Sequence, residues 1–170
     1  RNVFIDEGHE ADRLMVSTDD VDCTGETAFS KASFHKNWAE LTISYANPDN
    51  SEYPFTLEVT GQVNGLGLDT MTPVAGPFRC TGRQQPWENT FKVNLPRQNP
   101  EGNGLVMRLI RKTDKSLEKE YDLSEFINSS GYDWTVMDLD DICIGIDYAG
   151  VLTSISVIDW KTGFETTIII

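Results

Sequence analysis

From Trp38 onward apolar and polar residues alternate with a period of two, the mark of strands that bury one face. Ala39, Leu41, Ile43 and Tyr45 alternate with Glu40, Thr42 and Ser44. Asn47-Pro48-Asp49-Asn50 is a turn signal. Beyond it Phe55, Leu57, Val59 and Val63 fall on one face, and Thr56, Glu58, Thr60 and Gln62 on the other. Glycines at 61, 65 and 67 mark a bulge or a bent strand end. Further strands are predicted over 74–80, 90–95, 104–112, 141–148, 151–160 and 164–170. Phe91, Val93 and Leu95 share one face, as do Ile142, Ile144, Ile146 and Tyr148. One short helix is expected where Asp122 and Glu125 form a capping box, with Leu123, Phe126 and Ile127 on its apolar side and Gly131 just past its end. Short strands joined by Pro/Gly/Asn turns predict an all-β fold, an antiparallel β-sandwich with one short helix.

The charge distribution divides the chain. Residues 1–28 carry a net charge of −6 and no sustained apolar period beyond Leu14-Met15-Val16. Residues 29–113 carry +2 and residues 114–147 carry −8. A boundary is therefore expected near Ala28: residues 1–28 read as a linker or the tail of a missing N-terminal domain, residues 29–170 as the sandwich domain. The chain opens on Arg1-Asn2-Val3-Phe4 without a signal peptide, the expectation for a mature form or an excised fragment. At 170 residues and 39% apolar composition it has enough material for one packed core. Its net charge of −13 argues against nucleic acid, whose phosphates demand a basic surface, and against anionic lipid. No aliphatic run exceeds three residues, so no membrane-spanning helix is expected.

Catalytic and metal motifs fail one by one. Cys23, Cys80 and Cys143 are odd in number and form no C-x-x-C pair, so they read as small buried or half-buried side chains. His9-Glu10 opens like a zincin helix, but Arg13 stands where the second histidine belongs. His35 reads as a surface or half-buried packing residue. Asp20, Asp22, Thr24 and Gly25 follow an EF-hand register until Lys31 occupies the place of the closing carboxylate. Asp138, Asp140 and Asp141 cluster without a matching glycine and read as a solvated turn. There is no G-x-S-x-G elbow and no third glycine after Gly65-Leu66-Gly67. A pair of glycosidase carboxylates has no signature that singles it out. The reading is of a protein that is not an enzyme, with no metal and no cofactor. Of the four tryptophans, Trp134 and Trp160 suit core edges, and Trp87, in Gln85-Pro86-Trp87-Glu88, is the least committed to packing and the candidate for stacking on a sugar. Asn128-Ser129-Ser130 is a formal N-glycosylation sequon. Asp69-Thr70-Met71 resembles the D-[ST]-apolar O-glycosylation acceptor of Bacteroidetes export proteins.

The order of the segments carries a resemblance. His35-Lys36-Asn37-Trp38-Ala39-Glu40-Leu41 precedes 53–65, YPFTLEVTGQVNG; then come YDLSEFI at 121–127, GYDW at 131–134, LDDICIGIDY at 139–148 and ISVIDW at 155–160. From about 28 to 163 this resembles the C-terminal domain of FimB-like minor fimbrial subunits of Bacteroidetes, in the fimbrillin superfamily. Two departures stand out: the N-terminal domain and the lipoprotein cysteine of such subunits are missing. The resemblance implies a transthyretin-like sandwich at the cell surface, associated with the outer membrane through a lipid anchor on the missing N-terminal part. It implies a structural or adhesive accessory role, anchor or tip, in a fimbrium. The partners it implies are other fimbrial subunits, with a host protein or glycan as a further possibility. Assembly in such relatives resembles strand exchange with a C-terminal donor segment, a form of β-augmentation. Phe164, Thr166, Ile168 and Ile170 would belong to such a segment, and an ordinary last strand in its own sandwich fits the same residues equally well. The alternative function is a surface glycan-binding lipoprotein using Trp87.

Overall fold

The computed structural model describes residues 1–102 and 104–170. The strands are β1 (Asn2–Phe4), β2 (Met15–Val16), β3 (His35–Lys36), β4 (Trp38–Tyr45), β5 (Phe55–Gly67), β6 (Thr72–Thr81), β7 (Arg83–Gln85), β8 (Thr90–Pro96), β9 (Val106–Arg111), β10 (Leu117–Asp122), β11 (Asp141–Ile146), β12 (Leu152–Ile158) and β13 (Glu165–Ile169). A 3₁₀ turn over Pro86–Glu88 and helix α1 (Leu123–Ser129) complete the set. The fold is all-β, two sheets laid face to face around one apolar core, as the alternation predicts.

The first sheet is built on β5. One edge of this strand pairs with β9 over 55–60 and then with β1 over 65–67; β6 pairs along the other edge, and β10 extends the sheet beyond β9. Register shifts between Gly61 and Val63, and between Val63 and Gly65, are the irregularity foreseen from the glycines. Gly65 is required by β1: a Cβ there would lie 2.8 Å from the Val3 carbonyl oxygen and 2.8 Å from the Phe4 ring. The second sheet runs β13-β12-β11-β4-β8-β7, antiparallel throughout except where β4 and β11 run parallel. Leu41, Ile43, Leu57, Leu95, Met107, Leu109 and Ile144 meet between the sheets with no exposed surface. α1 closes one side, sealed by Leu123 and Ile127. The capping box forms in part: the Asp122 side chain accepts from the Glu125 N–H at 2.9 Å.

The N-terminal stretch is where sequence and structure diverge. Residues 1–16, placed by the sequence in a linker or tail, contribute β1 to the first sheet and β2 to a two-residue ribbon with β3. Their apolar content is too short to show a period, and their pairing is created by room left on β5. Residues 17–34 hold no strand, and the side-chain hydrogen bonds there stay within the segment, from Ser30 to Asp19 and from Thr24 to Asp22. β10 also lacks a sequence signal. Its Leu-Glu-Lys-Glu pattern reflects a row of charges across the outer face, in which Glu58 bonds Arg79 and Arg108, and Arg108 bonds Glu120. Opposite charges on neighbouring strands support pairing where apolar side chains do not.

Candidate functional site

Two exposed regions sit at opposite edges of the six-stranded sheet. At one edge, β13 pairs with β12 from Ile158↔Glu165 to Ser154↔Ile169, extended by the Ile170 N–H donating to Thr153 O at 3.0 Å. All five of its side chains are exposed. Phe164, Ile168, Ile169 and Ile170 are 71%, 41%, 85% and 64% exposed, and Thr166 is exposed beside them. One side-chain hydrogen bond ties β13 to β12, Ser156 to Thr167 at 2.8 Å. The strand overhangs the sandwich and is held by its backbone ladder. Its outer edge carries no further strand among the described residues, and an apolar, β-branched open edge is a template for another chain.

At the other edge, three chain segments converge on a cleft of about 630 Å³. The first is the β4–β5 connection, with Asn47, Asn50, Ser51 and Glu52; the second is the end of β7 and its 3₁₀ turn, with Gln84, Trp87 and Asn89; the third is Lys112, just past β9. Tyr45 and Tyr53 line the cleft with their rings stacked at a centroid distance of 3.9 Å. Gln84 donates to the Tyr45 hydroxyl at 3.0 Å, and the Lys112 ammonium donates to Glu52 at 3.0 Å and to Gln84 at 3.2 Å. The turn that carries Trp87 is rigid: Pro86 opens it, Asn89 closes it with φ of 51°, and the Asn89 carbonyl accepts from the Tyr45 N–H at 2.9 Å. Trp87 itself is 78% exposed.

The other residues singled out from the sequence have structural roles. Trp134 is buried and meets Tyr132 edge to face. Asp22 accepts from Thr24 within a local turn, and Asp138, Asp140 and Asp141 are divided among separate tasks on β3, the 160 turn and β4. Burial pushes the Asp140 carboxyl up, against the hydrogen bond from the Trp160 N–H. Among the described residues no group of three His, Cys, Asp or Glu is arranged to hold a metal. Cys80 is buried, with its thiol pushed up to about 12 by burial, and Cys143 is half-buried. Cys23 departs from the expected burial and is exposed, because it lies on the 17–34 segment. Thr70 sits on the exposed β5–β6 turn with its hydroxyl 2.7 Å from that of Thr72, and Asn128 is exposed near the end of α1. The cleft residues other than Trp87 carry no sequence signal of their own, since three distant segments supply them; the Asn47–Asn50 turn and the Pro86-Trp87 pair are the only local cues.

No protein-family model matches the chain and no curated protein is detectably similar to it. Solved structures are. A Bacteroides thetaiotaomicron structure described as a proposed polysaccharide-binding protein matches with a TM-score of 0.53 at 11% identity, over 81% of this chain and 52% of that one. The fimbrial anchor protein Mfa2 from Porphyromonas gingivalis matches with a TM-score of 0.52 at 14% identity, over 79% and 50%. A proposed adhesin from Bacteroides ovatus matches with a TM-score of 0.53 at 10% identity, over 96% and 62%. The chain thus spans between 50% and 62% of the lengths of these structures. At such identities the likeness establishes the fold, and the fold is one that this chain shares with fimbrial and adhesin-type proteins of Bacteroidetes.

Proposed function

We propose that this chain is a structural or adhesive accessory subunit, anchor or tip, of a bacterial surface fimbrium, assembled with other fimbrial subunits through β-strand contacts and acting in cell adhesion. The observation that carries the reading is β13. It is an edge strand with no buried side chain, held to β12 by a ladder, β-branched from Thr166 to Ile169 and apolar at its end, Ile168 and Ile169. A strand of this kind can be exchanged with, or extended by, a strand of a neighbouring subunit without dismantling the core: ladder hydrogen bonds supply affinity, and alternate side chains supply specificity. Phe164, Thr166, Ile168 and Ile170 are the residues that would meet the neighbour. The fold shared with a fimbrial anchor protein and proposed adhesins supports the role, and with it a place at the cell surface on the outer membrane.

The test is an immunoblot of the sheared cell-surface fraction, comparing unheated with boiled SDS samples, for the wild type and for a variant lacking residues 164–170. A high-mass ladder that collapses on boiling and is lost in the truncated variant is the expected result. A lone monomer band in both lanes overturns strand-mediated assembly, provided the truncated variant keeps the wild-type near-ultraviolet circular dichroism.

A further inference from the structure

The Trp87 cleft lies at the far edge of the sheet from β13, so the proposed assembly leaves it unexplained. Its composition narrows the chemistry. Trp87 offers one flat, rigid, amphipathic plate whose large apolar area is left in solvent by a turn that cannot easily fold it away. Around it are groups that both donate and accept. The side-chain amides of Asn50 and Asn89 form no hydrogen bond within the described chain, and each residue is held at a positive φ, 49° and 51°. Isolated exposed aromatics are ordinary on protein surfaces. This one stands at the mouth of a concavity within the size range of small-molecule sites, roughly 300–1,000 Å³.

The charges there cancel. Lys112 and Glu52 bond each other, and Glu52 is the one carboxylate lining the cleft. An acidic ligand gains little from an ammonium already paired, and it also faces the repulsion of a chain with net charge −13. A single carboxylate supplies no acid–nucleophile pair for cutting a glycosidic bond. A pyranose has what this surface lacks: a C–H face to lie on an indole, and a fan of hydroxyls that each give and take a hydrogen bond.

We infer that the cleft between the β4–β5 connection, the 3₁₀ turn and Lys112 is a subsite for a neutral saccharide, with Trp87 as the stacking plate and Asn50, Asn89 and Glu52 as the polar contacts. Binding quenches or shifts the emission of Trp87, the one tryptophan of the four with its indole largely in solvent.

The probe is a printed array of neutral oligosaccharides (glucan-, mannan-, xylan- and galactan-derived) with sialylated and sulfated ones beside them. Neutral saccharides that bind are then titrated by isothermal calorimetry against the wild type, Trp87→Ala and Asn50→Ala, with the wild-type emission followed in parallel. The inference expects saturable binding of at least one neutral oligosaccharide, weakened about tenfold or more by Trp87→Ala and restored in part by Trp87→Phe, with thermal midpoints unchanged. Absence of neutral-saccharide binding, binding confined to the acidic saccharides, or binding that survives Trp87→Ala overturns it. The outcome is separable from that of the assembly reading, because Trp87→Ala leaves the SDS ladder as in the wild type.

Discussion

The Lys36 ammonium lies 2.8 Å from the Asp141 carboxylate and also donates to the carbonyls of Trp38 and Leu139 at 2.7 and 2.8 Å. Lys36 is 3% exposed, and the same Asp141 oxygen accepts from the Glu40 N–H. Four polar groups from β3, β4 and the entry to β11 are thus satisfied around one side chain. This clamp sits where β4 and β11 begin to run side by side, the one parallel pair of strands among the described residues.

Replacing Lys36 with Met keeps the buried stem and removes the charge. Two carbonyls and a half-buried carboxylate lose a donor, and the expected loss is about 2–3 kcal/mol, below the full cost of breaking a wholly buried pair because Asp141 retains some solvent. Urea unfolding of Lys36→Met against the wild type checks this. A loss under ~0.5 kcal/mol would mean that water replaces the ammonium and that the clamp is incidental.

Arg97 is held in another way. It is 5% exposed and faces no carboxylate within bonding distance; its guanidinium donates to the Asn37 side-chain oxygen at 2.9 Å and to the carbonyls of Trp134, Val136 and Met137 at 2.7, 2.7 and 3.0 Å. Burial pulls its pKa down, with Tyr132 and Asp138 opposing. The planar fork is what fixes the 134–137 segment against the end of β8. Arg97→Lys keeps the charge but cannot reach every acceptor, and is expected to cost about 2–4 kcal/mol, nearly as much as Arg97→Met. Equal stability of Arg97→Lys and the wild type in the same melts would sink the argument.

Acid stability has a traceable contributor in Asp138. Burial pushes its carboxyl up, but the Lys161 ammonium at 2.7 Å and the hydrogen bond from the Lys36 N–H outweigh that and hold it below its ordinary value of 3.8. A carboxylate depressed in the folded state contributes stability that is fully present above 3.8 and is lost as pH falls through the lower folded value. The stability gap between the wild type and Asp138→Asn is therefore expected to be constant from neutral pH to about 5, and to close as pH drops below 3.8. Denaturant midpoints for both proteins across that range provide the check, and a gap that widens on acidification contradicts it.

Thiol chemistry separates the three cysteines. Cys23 is exposed, whereas burial raises the thiols of Cys80, to about 12, and of Cys143. Iodoacetamide at mildly alkaline pH is expected to label Cys23 rapidly and the other two only on unfolding. Peptide mapping by mass spectrometry reads the result, and early labelling at Cys80 would show that the sheet opens around β6.

Legibility in the sequence followed burial. Where a strand has one face in the core, as in β4, β8 and β11, alternation located it to within a few residues, and the Asp122 cap located α1. Tyr148 continues the alternation of Ile142, Ile144 and Ile146, yet it is 47% exposed because β11 ends before it. Two strands left no trace: β1 is admitted by Gly65 and Gly67 on a distant partner, and β10 is carried by charge pairs with β9, whereas β13, with no core face, was legible from its β-branched run alone. Trp87 stood out because nothing near it in sequence called for an apolar side chain. Asn50, Glu52 and Lys112 join it only through the register of β4, β5 and β9, a long-range relation that no local pattern encodes.

The β2–β3 ribbon pairs Val16 with His35, so the intervening residues leave and re-enter the body at neighbouring points. Such a loop is a port: its length can change at small entropic cost, and foreign sequence can be spliced into it without disturbing either sheet. A single cut within it, at Lys31 for example, converts residues 1–31 from part of the chain into a peptide ligand. That peptide would be retained by β1 on β5, by the Ile5 N–H on Asn64 O and by the Ala11 N–H on Asn94 O. The molecule thus carries, at its N-terminal end, the makings of a two-piece protein whose halves find each other by strand pairing.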